Sequence, residues 1–142
     1  MTKNLFGIEK MPDKPPTPAS ILVIDDETAI LKMLAMALSR KGYQVDTADS
    51  GEKGVKKLQA NEYHLVITDM VMGRMSGEEV LENVRSLKGE DIPVIAMSGT
   101  PWLMEGHLFD AVIPKPYSLK LLFEMVQDFL SPLSKNVPLP DA

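Results

Sequence analysis

The chain has no cysteine among its 142 residues, so neither a disulfide framework nor a thiolate metal site can be built. It has only two histidines, His64 and His107, and neither has a second ligand at metal spacing. Both read as structural or exposed. A basic excess is missing too: the formal net charge of -5 argues against a nucleic-acid-binding surface, which needs a positive footprint. No apolar run is long enough to cross a membrane. Prolines and charges break up the N-terminal segment, so it lacks the apolar core of a signal peptide. A cytoplasmic location is expected by exclusion.

What is present is the composition of an ordinary globular domain, 44% hydrophobic and 25% charged, with room for one core and short flanks. Pro12, Pro15, Pro16 and Pro18 mark residues 1–18 as a flexible arm. Pro132, Pro138 and Pro140 mark residues 131–142 as a tail. Between them, residues 19–130 alternate short apolar runs with helical stripes. Strands are expected at 20–25, 43–47, 64–69, 92–97 and 109–113. The intervening stripes read as helices: one through Ile30, Leu31, Leu34 and Leu38, closed by Gly42, and one through Val55 and Leu58, opened by an Asp49–Glu52 capping box. A third runs through Val80, Leu81, Val84 and Leu87 from a Ser76–Glu79 box, and a last one from Ser118 through Leu122 and Val126. Residues 99–108, with Pro101 and Gly106, have little room for a helix, so a single turn or irregular loop is expected there. Strand and helix in alternation imply an α/β fold, a doubly wound five-stranded parallel sheet covered on both faces.

In such a sheet, ligands bind at the carboxyl edge of the strands. Asp25 and Asp26 end the first run, Asp69 the third, Ser98 the fourth, and Lys115 follows the fifth. Three carboxylates brought together repel one another unless one protonates or a cation joins them. With oxygen donors only, a hard cation such as Mg²⁺ suits the set, and a carbonyl just after Asp69, such as that of Val71, can complete it. An aspartate can accept a phosphoryl group as an acyl phosphate, a transfer that needs positioning and charge neutralisation above all. Mg²⁺ and Lys115 would supply that charge, and Ser98 a hydrogen bond.

Over residues 19–130 these features resemble the receiver domain of two-component response regulators, in a stand-alone, chemotaxis-regulator-like form. Asp25 and Asp26 are similar to the family's acidic metal pocket, Asp69 to its phosphoacceptor, Ser98 to its switch hydroxyl. Lys115-Pro116 is similar to its lysine and following proline, whose peptide bond the family keeps cis. The resemblance implies a flavodoxin-like receiver fold, Mg²⁺ as cofactor, and phosphoryl transfer to Asp69 from a histidine kinase or histidine phosphotransfer domain. It implies no turnover of a substrate, only slow autodephosphorylation, and signalling by contact with a downstream protein target or as a homodimer. The chain departs from the pattern at Gly73, where the family often has proline, and at Val112, where it often has an aromatic. The stretch from Ser98 to Lys115 is short, so the fourth helix is expected to be shortened or irregular.

Rival readings are a pseudo-receiver scaffold that is never phosphorylated, a receiver excised from a larger hybrid kinase or regulator, and a magnesium-dependent aspartyl phosphatase. The last usually needs a second acid two residues after the nucleophile, where this chain has Val71. The ten methionines read as packing residues. Trp102 fits either a core plug or an exposed contact.

Overall fold

The computed structural model describes residues 18–104, 106–116 and 118–131. Residues 1–17 of the expected arm and 132–142 of the expected tail lie outside them. Five parallel strands are present: β1 Ser20–Ile24, β2 Gln44–Ala48, β3 Leu65–Asp69, β4 Val94–Ser98 and β5 Ala111–Pro114. Four α-helices join them, α1 Thr28–Arg40, α2 Gly51–Ala60, α3 Gly77–Lys88 and α4 Leu119–Leu130. The sheet order is β2-β1-β3-β4-β5. The winding therefore reverses between β1 and β3, and this opens a crevice above their carboxyl ends.

Alternate residues of each strand feed two cores. Ile21, Val23, Leu65, Ile67, Ile95, Met97 and Ile113 pack with Leu31, Leu34 and Leu38 of α1 and Leu122 and Val126 of α4. Leu22, Ile24, Val66, Val94 and Ala96 face the other way, onto Leu58 of α2 and Val80, Leu81 and Val84 of α3. Each buried leucine is worth roughly 1.5–3 kcal/mol, against about 1 kcal/mol for a helix cap. Burial thus decides which face of a helix is inward, while caps decide where it starts. Ser76 and Ser118 cap α3 and α4, their hydroxyls accepting the N–H of Glu79 and Leu121 at 3.2 Å. Gly42, at φ +97°, ends α1 in the left-handed region that favours glycine.

Several expected boundaries shift. The cap of α2 is Ser50, whose hydroxyl accepts from Lys53 N–H, rather than the Asp49–Glu52 box. Asp49 instead forms an ion pair with Lys53 at 2.9 Å. A serine one residue later leaves Asp49 outside the helix, where an exposed (i, i+4) pair is the better use of its charge. His64 precedes β3, its Nδ1 accepting the Ser20 N–H at 2.9 Å, and β5 starts two residues after Phe109.

The stretch between β4 and β5 holds only a 3₁₀ turn, Pro101–Met104, in keeping with the short segment expected there. A staple secures its far end. Asp110 Oδ2 accepts the buried Val94 N–H at 2.7 Å and pairs with Arg85 at 2.8 Å. Arg85 also donates to the Ile92 carbonyl at 2.6 Å. Asp110→Ala strands the Val94 N–H and is expected to cost about 1–3 kcal/mol. The measurement is urea unfolding, with a lower midpoint at unchanged slope expected; an unchanged midpoint would contradict it.

Candidate functional site

The crevice above β1 and β3 gathers the acids. One oxygen each from Asp25, Asp26 and Asp69 lies within 4.8 Å of the others. Asp25 is fully buried just beyond β1, its N–H donating to the Ala48 carbonyl at 3.1 Å and its Oδ1 accepting from Glu27 N–H at 2.9 Å. Asp26 is exposed and follows it. Asp69 closes β3 with 3% of its surface exposed, and Lys115 Nζ sits 2.9 Å from its Oδ1.

Lys115 reaches Asp69 because the chain end of β5 is tied to β4. Its N–H donates to the Ser98 carbonyl at 2.8 Å, and the Lys115–Pro116 peptide is cis. Ser98 is buried, and its Oγ accepts from Thr100 N–H at 3.0 Å. Asp69 stands opposite Met97 in the β3–β4 register, so Ser98 lies one residue further along on the neighbouring strand. Val71, in the loop after β3, has its side chain 80% exposed. The structure therefore brings Asp25, Asp26, Asp69 and Lys115 into contact distance. It places Ser98 on the adjoining strand end and leaves the Val71 side chain outside.

Burial raises the Asp25 carboxyl to a pKa of about 6, and the Asp69 charge adds to the shift. The Glu27 N–H and Lys115 pull it back only in part. A buried carboxylate that resists ionisation, beside two more carboxylates, is the environment a cation would relieve. All three donors are hard oxygens, so the residues fit a divalent metal of the magnesium type.

Thr68 is the site residue that motif reading passed over. It is fully buried at the penultimate position of β3, and its hydroxyl donates to the Asp69 carbonyl at 3.0 Å. Its only signal in the sequence is a polar side chain inside an apolar run. Val112 is half-buried against the α2–α3 core and paired with Ala96. Trp102 is exposed at 71%, which settles the choice between plug and surface.

The model of the response regulator receiver domain matches residues 21–127, and the chain belongs to this family of two-component systems. Response regulator RR06 of Streptococcus pneumoniae serotype 2 is 35% identical over 113 residues, which cover 76% of this chain and 51% of that protein. Among solved structures, response regulator protein TrrA of Thermotoga maritima, in complex with Mg²⁺–BeF, has a TM-score of 0.72 at 34% identity. That match covers 79% of this chain and 99% of TrrA. A CheY-like receiver domain protein of Methanospirillum hungatei has a TM-score of 0.76 at 27% identity, over 84% of this chain and 99% of that one. The fold is the flavodoxin-like receiver fold. The chain spans 26% of the length of one curated relative, transcriptional regulatory protein GlrR of Escherichia coli, and 51% of RR06.

Without metal, the raised Asp25 pKa makes the folded chain bind a proton more tightly than the unfolded one, whose carboxyl titrates near 3.8. Its contribution to stability is therefore fullest below about pH 4 and is lost as pH rises through about 6. Asp25→Asn should remove this slope and raise metal-free stability at pH 7.5 by on the order of 2 kcal/mol. Denaturant midpoints between pH 4.5 and pH 7.5 measure it. Parallel curves for the variant and the parent chain would rule it out.

Proposed function

We propose that the chain is a phosphoacceptor: a histidine kinase or histidine phosphotransfer domain donates a phosphoryl group to Asp69, with Mg²⁺ required. The observation that carries this reading is Asp69 itself, buried, paired with Lys115 at 2.9 Å and grouped with Asp25 and Asp26. Residues 19–130 act as the receiver, between an arm at 1–18 and a tail at 131–142. TrrA, 34% identical, is described in complex with Mg²⁺–BeF, which supports the same chemistry here.

Asp25, Asp26 and Asp69 would hold Mg²⁺ with the Val71 carbonyl, and the ion supplies positive charge to the phosphoryl oxygens. A carboxylate oxygen of Asp69 attacks phosphorus, the bond to the donor imidazole nitrogen breaks, and an acyl phosphate forms. Lys115, already within an ion-pair distance of Asp69, turns its ammonium to the phosphoryl oxygens as charge moves outward. Ser98 uses a lone pair to accept from Thr100, so its O–H can donate to the same group. The added charge biases a conformational equilibrium through Lys115 and Ser98.

The chain acts in the cytoplasm, turns over no substrate beyond slow loss of its own phosphate, and does not itself bind nucleic acid. Its message passes by contact with a downstream protein or a second copy. Trp102, Leu103 and Leu108, all more than two-thirds exposed, support such a contact beside the site. No helix of the described residues is long and apolar enough to cross a membrane.

Incubation with acetyl phosphate and Mg²⁺ should add one phosphoryl group to the intact mass. Asp69→Ala should abolish the gain, and Lys115→Ala should slow it by about a hundredfold. No mass gain in the parent chain would leave the scaffold as the better account. Val71 and Thr100 flank the site, and we expect their side chains to limit the approach of water to the acyl phosphate. Val71→Asn and Thr100→Glu should therefore lose phosphate faster, followed by mass against time; unchanged decay in both would reject that role.

A further inference from the structure

The loop after β3 is seated against the first residue of two helices, and both residues are glycine. A Cβ at Gly77, which opens α3, would lie 2.6 Å from the Asp69 carbonyl oxygen and 2.9 Å from Met70 Cα. A Cβ at Gly51, which opens α2, would lie 2.7–2.9 Å from Cβ, Cγ and Sδ of Met75. Neither glycine has a positive φ, so the backbone would accept another residue at both places. Space is what excludes a side chain there.

The two contacts differ in kind. At Gly77 the loop's main chain touches the helix: Gly77 N–H donates to the Met70 carbonyl at 3.0 Å, while Thr68 holds the Asp69 carbonyl from the other side. At Gly51 the neighbour is one half-buried side chain, Met75, two residues before α3 begins. The segment from Asp69 to Ser76 is thus held at one end against backbone and at the other against a thioether. Both the phosphoacceptor and the Val71 carbonyl lie on it.

We propose that Gly51 and Gly77 are positioning residues for phosphoryl transfer: the missing side chains form a two-point seat that sets Asp69 and Val71 against Asp25, Asp26 and Lys115. This inference rests on the phosphoacceptor reading. A methyl group at Gly77 pushes on the Asp69 carbonyl, which no rotamer change can relieve. A methyl group at Gly51 pushes on Met75, which truncation can relieve.

The test uses Gly77→Ala, Gly51→Ala, Met75→Ala and the Gly51→Ala/Met75→Ala double variant of the full chain. Mg²⁺ affinity is read from Trp102 fluorescence with no phosphoryl donor present, then the rate of mass gain with acetyl phosphate. Amide NMR of the metal-free proteins and thermal unfolding report the position of Met70 and the integrity of the fold. Gly77→Ala should weaken Mg²⁺ binding and slow phosphorylation by about tenfold or more, since a displacement near 1 Å at a reacting group costs up to about a hundredfold. Alanine is the better helix former, but this offsets only part of the backbone clash, so a lower melting temperature is expected and Mg²⁺ binding is read well below it. Gly51→Ala should show a smaller loss, and the double variant should return to the level of Met75→Ala alone. Should Gly77→Ala not fold, the Gly51 and Met75 set decides the matter by itself. Parental Mg²⁺ affinity in the folded single variants, or no recovery in the double variant, would overturn the seat. A parent chain that takes up neither Mg²⁺ nor phosphate would end the phosphoacceptor reading, and this inference with it.

Discussion

Three carboxylates crowd the ends of two adjacent strands, and the molecule is arranged around that unfavourable proximity. Burial first, and the nearby Asp69 charge second, raise the energy of the ionised Asp25 carboxyl, whose pKa is pushed up to about 6. One protein cation, Lys115, offsets part of it at Asp69. A largely buried group of acids with one fixed cation among the described residues responds strongly to any further charge placed beside it. On the proposed reading, an added cation would relieve the repulsion and an added phosphoryl group would draw Lys115 toward itself.

The topology makes the proximity unavoidable. With order β2-β1-β3-β4-β5, β1 and β3 are neighbours although a helix-strand-helix unit separates them in the chain. Residues that end both strands must share one edge, and the helices that leave them go to opposite faces. Hydrophobic burial on two faces holds the strands in this order, and the polar edge is carried by that scaffold. Asp25, Thr68, Asp69 and Ser98 are polar yet buried at this edge, and at Asp25 burial disfavours the ionised carboxyl.

The stretch from β4 to β5 shows how little chain is needed to keep Lys115 in place. A 3₁₀ turn replaces a full helix, yet β5 still pairs with β4 through Ala111 to Pro114. The Arg85–Asp110–Val94 staple secures one end, and the Lys115 N–H bond to Ser98 the other. The cost appears on the surface, where Trp102, Leu103 and Leu108 remain exposed. With Val112 at the place where the family often has an aromatic, the chain keeps the acidic edge and Lys115 beside an exposed apolar surface.

Most of the architecture could be read from the residues. Continuous apolar runs such as Ile21–Ile24 and Leu65–Ile67 mean strands buried on both faces, and stripes such as Leu31-Leu34-Leu38 mean helices with one wet side. Boundaries were less legible, because a cap is decided by competing local hydrogen bonds: Ser50 displaced Asp49 by one residue at α2. Thr68 and Gly51 carried no motif, since their roles are contacts to groups far along the chain or to the backbone.

By itself, then, the sequence determined periodicity, and periodicity determines strands, helices, the alternating fold and the strand-end placement of Asp25, Asp26, Asp69, Ser98 and Lys115. Each of these follows from local backbone geometry and the hydrophobic effect acting on neighbours in the chain. Only the tertiary structure decided distance: that Lys115 meets Asp69 at 2.9 Å, that Asp25 is buried while Asp26 is exposed, and that Gly51 and Gly77 leave room for the loop between them. Those are relations in space, some between residues tens of positions apart, and they exist only once two cores have packed against one sheet.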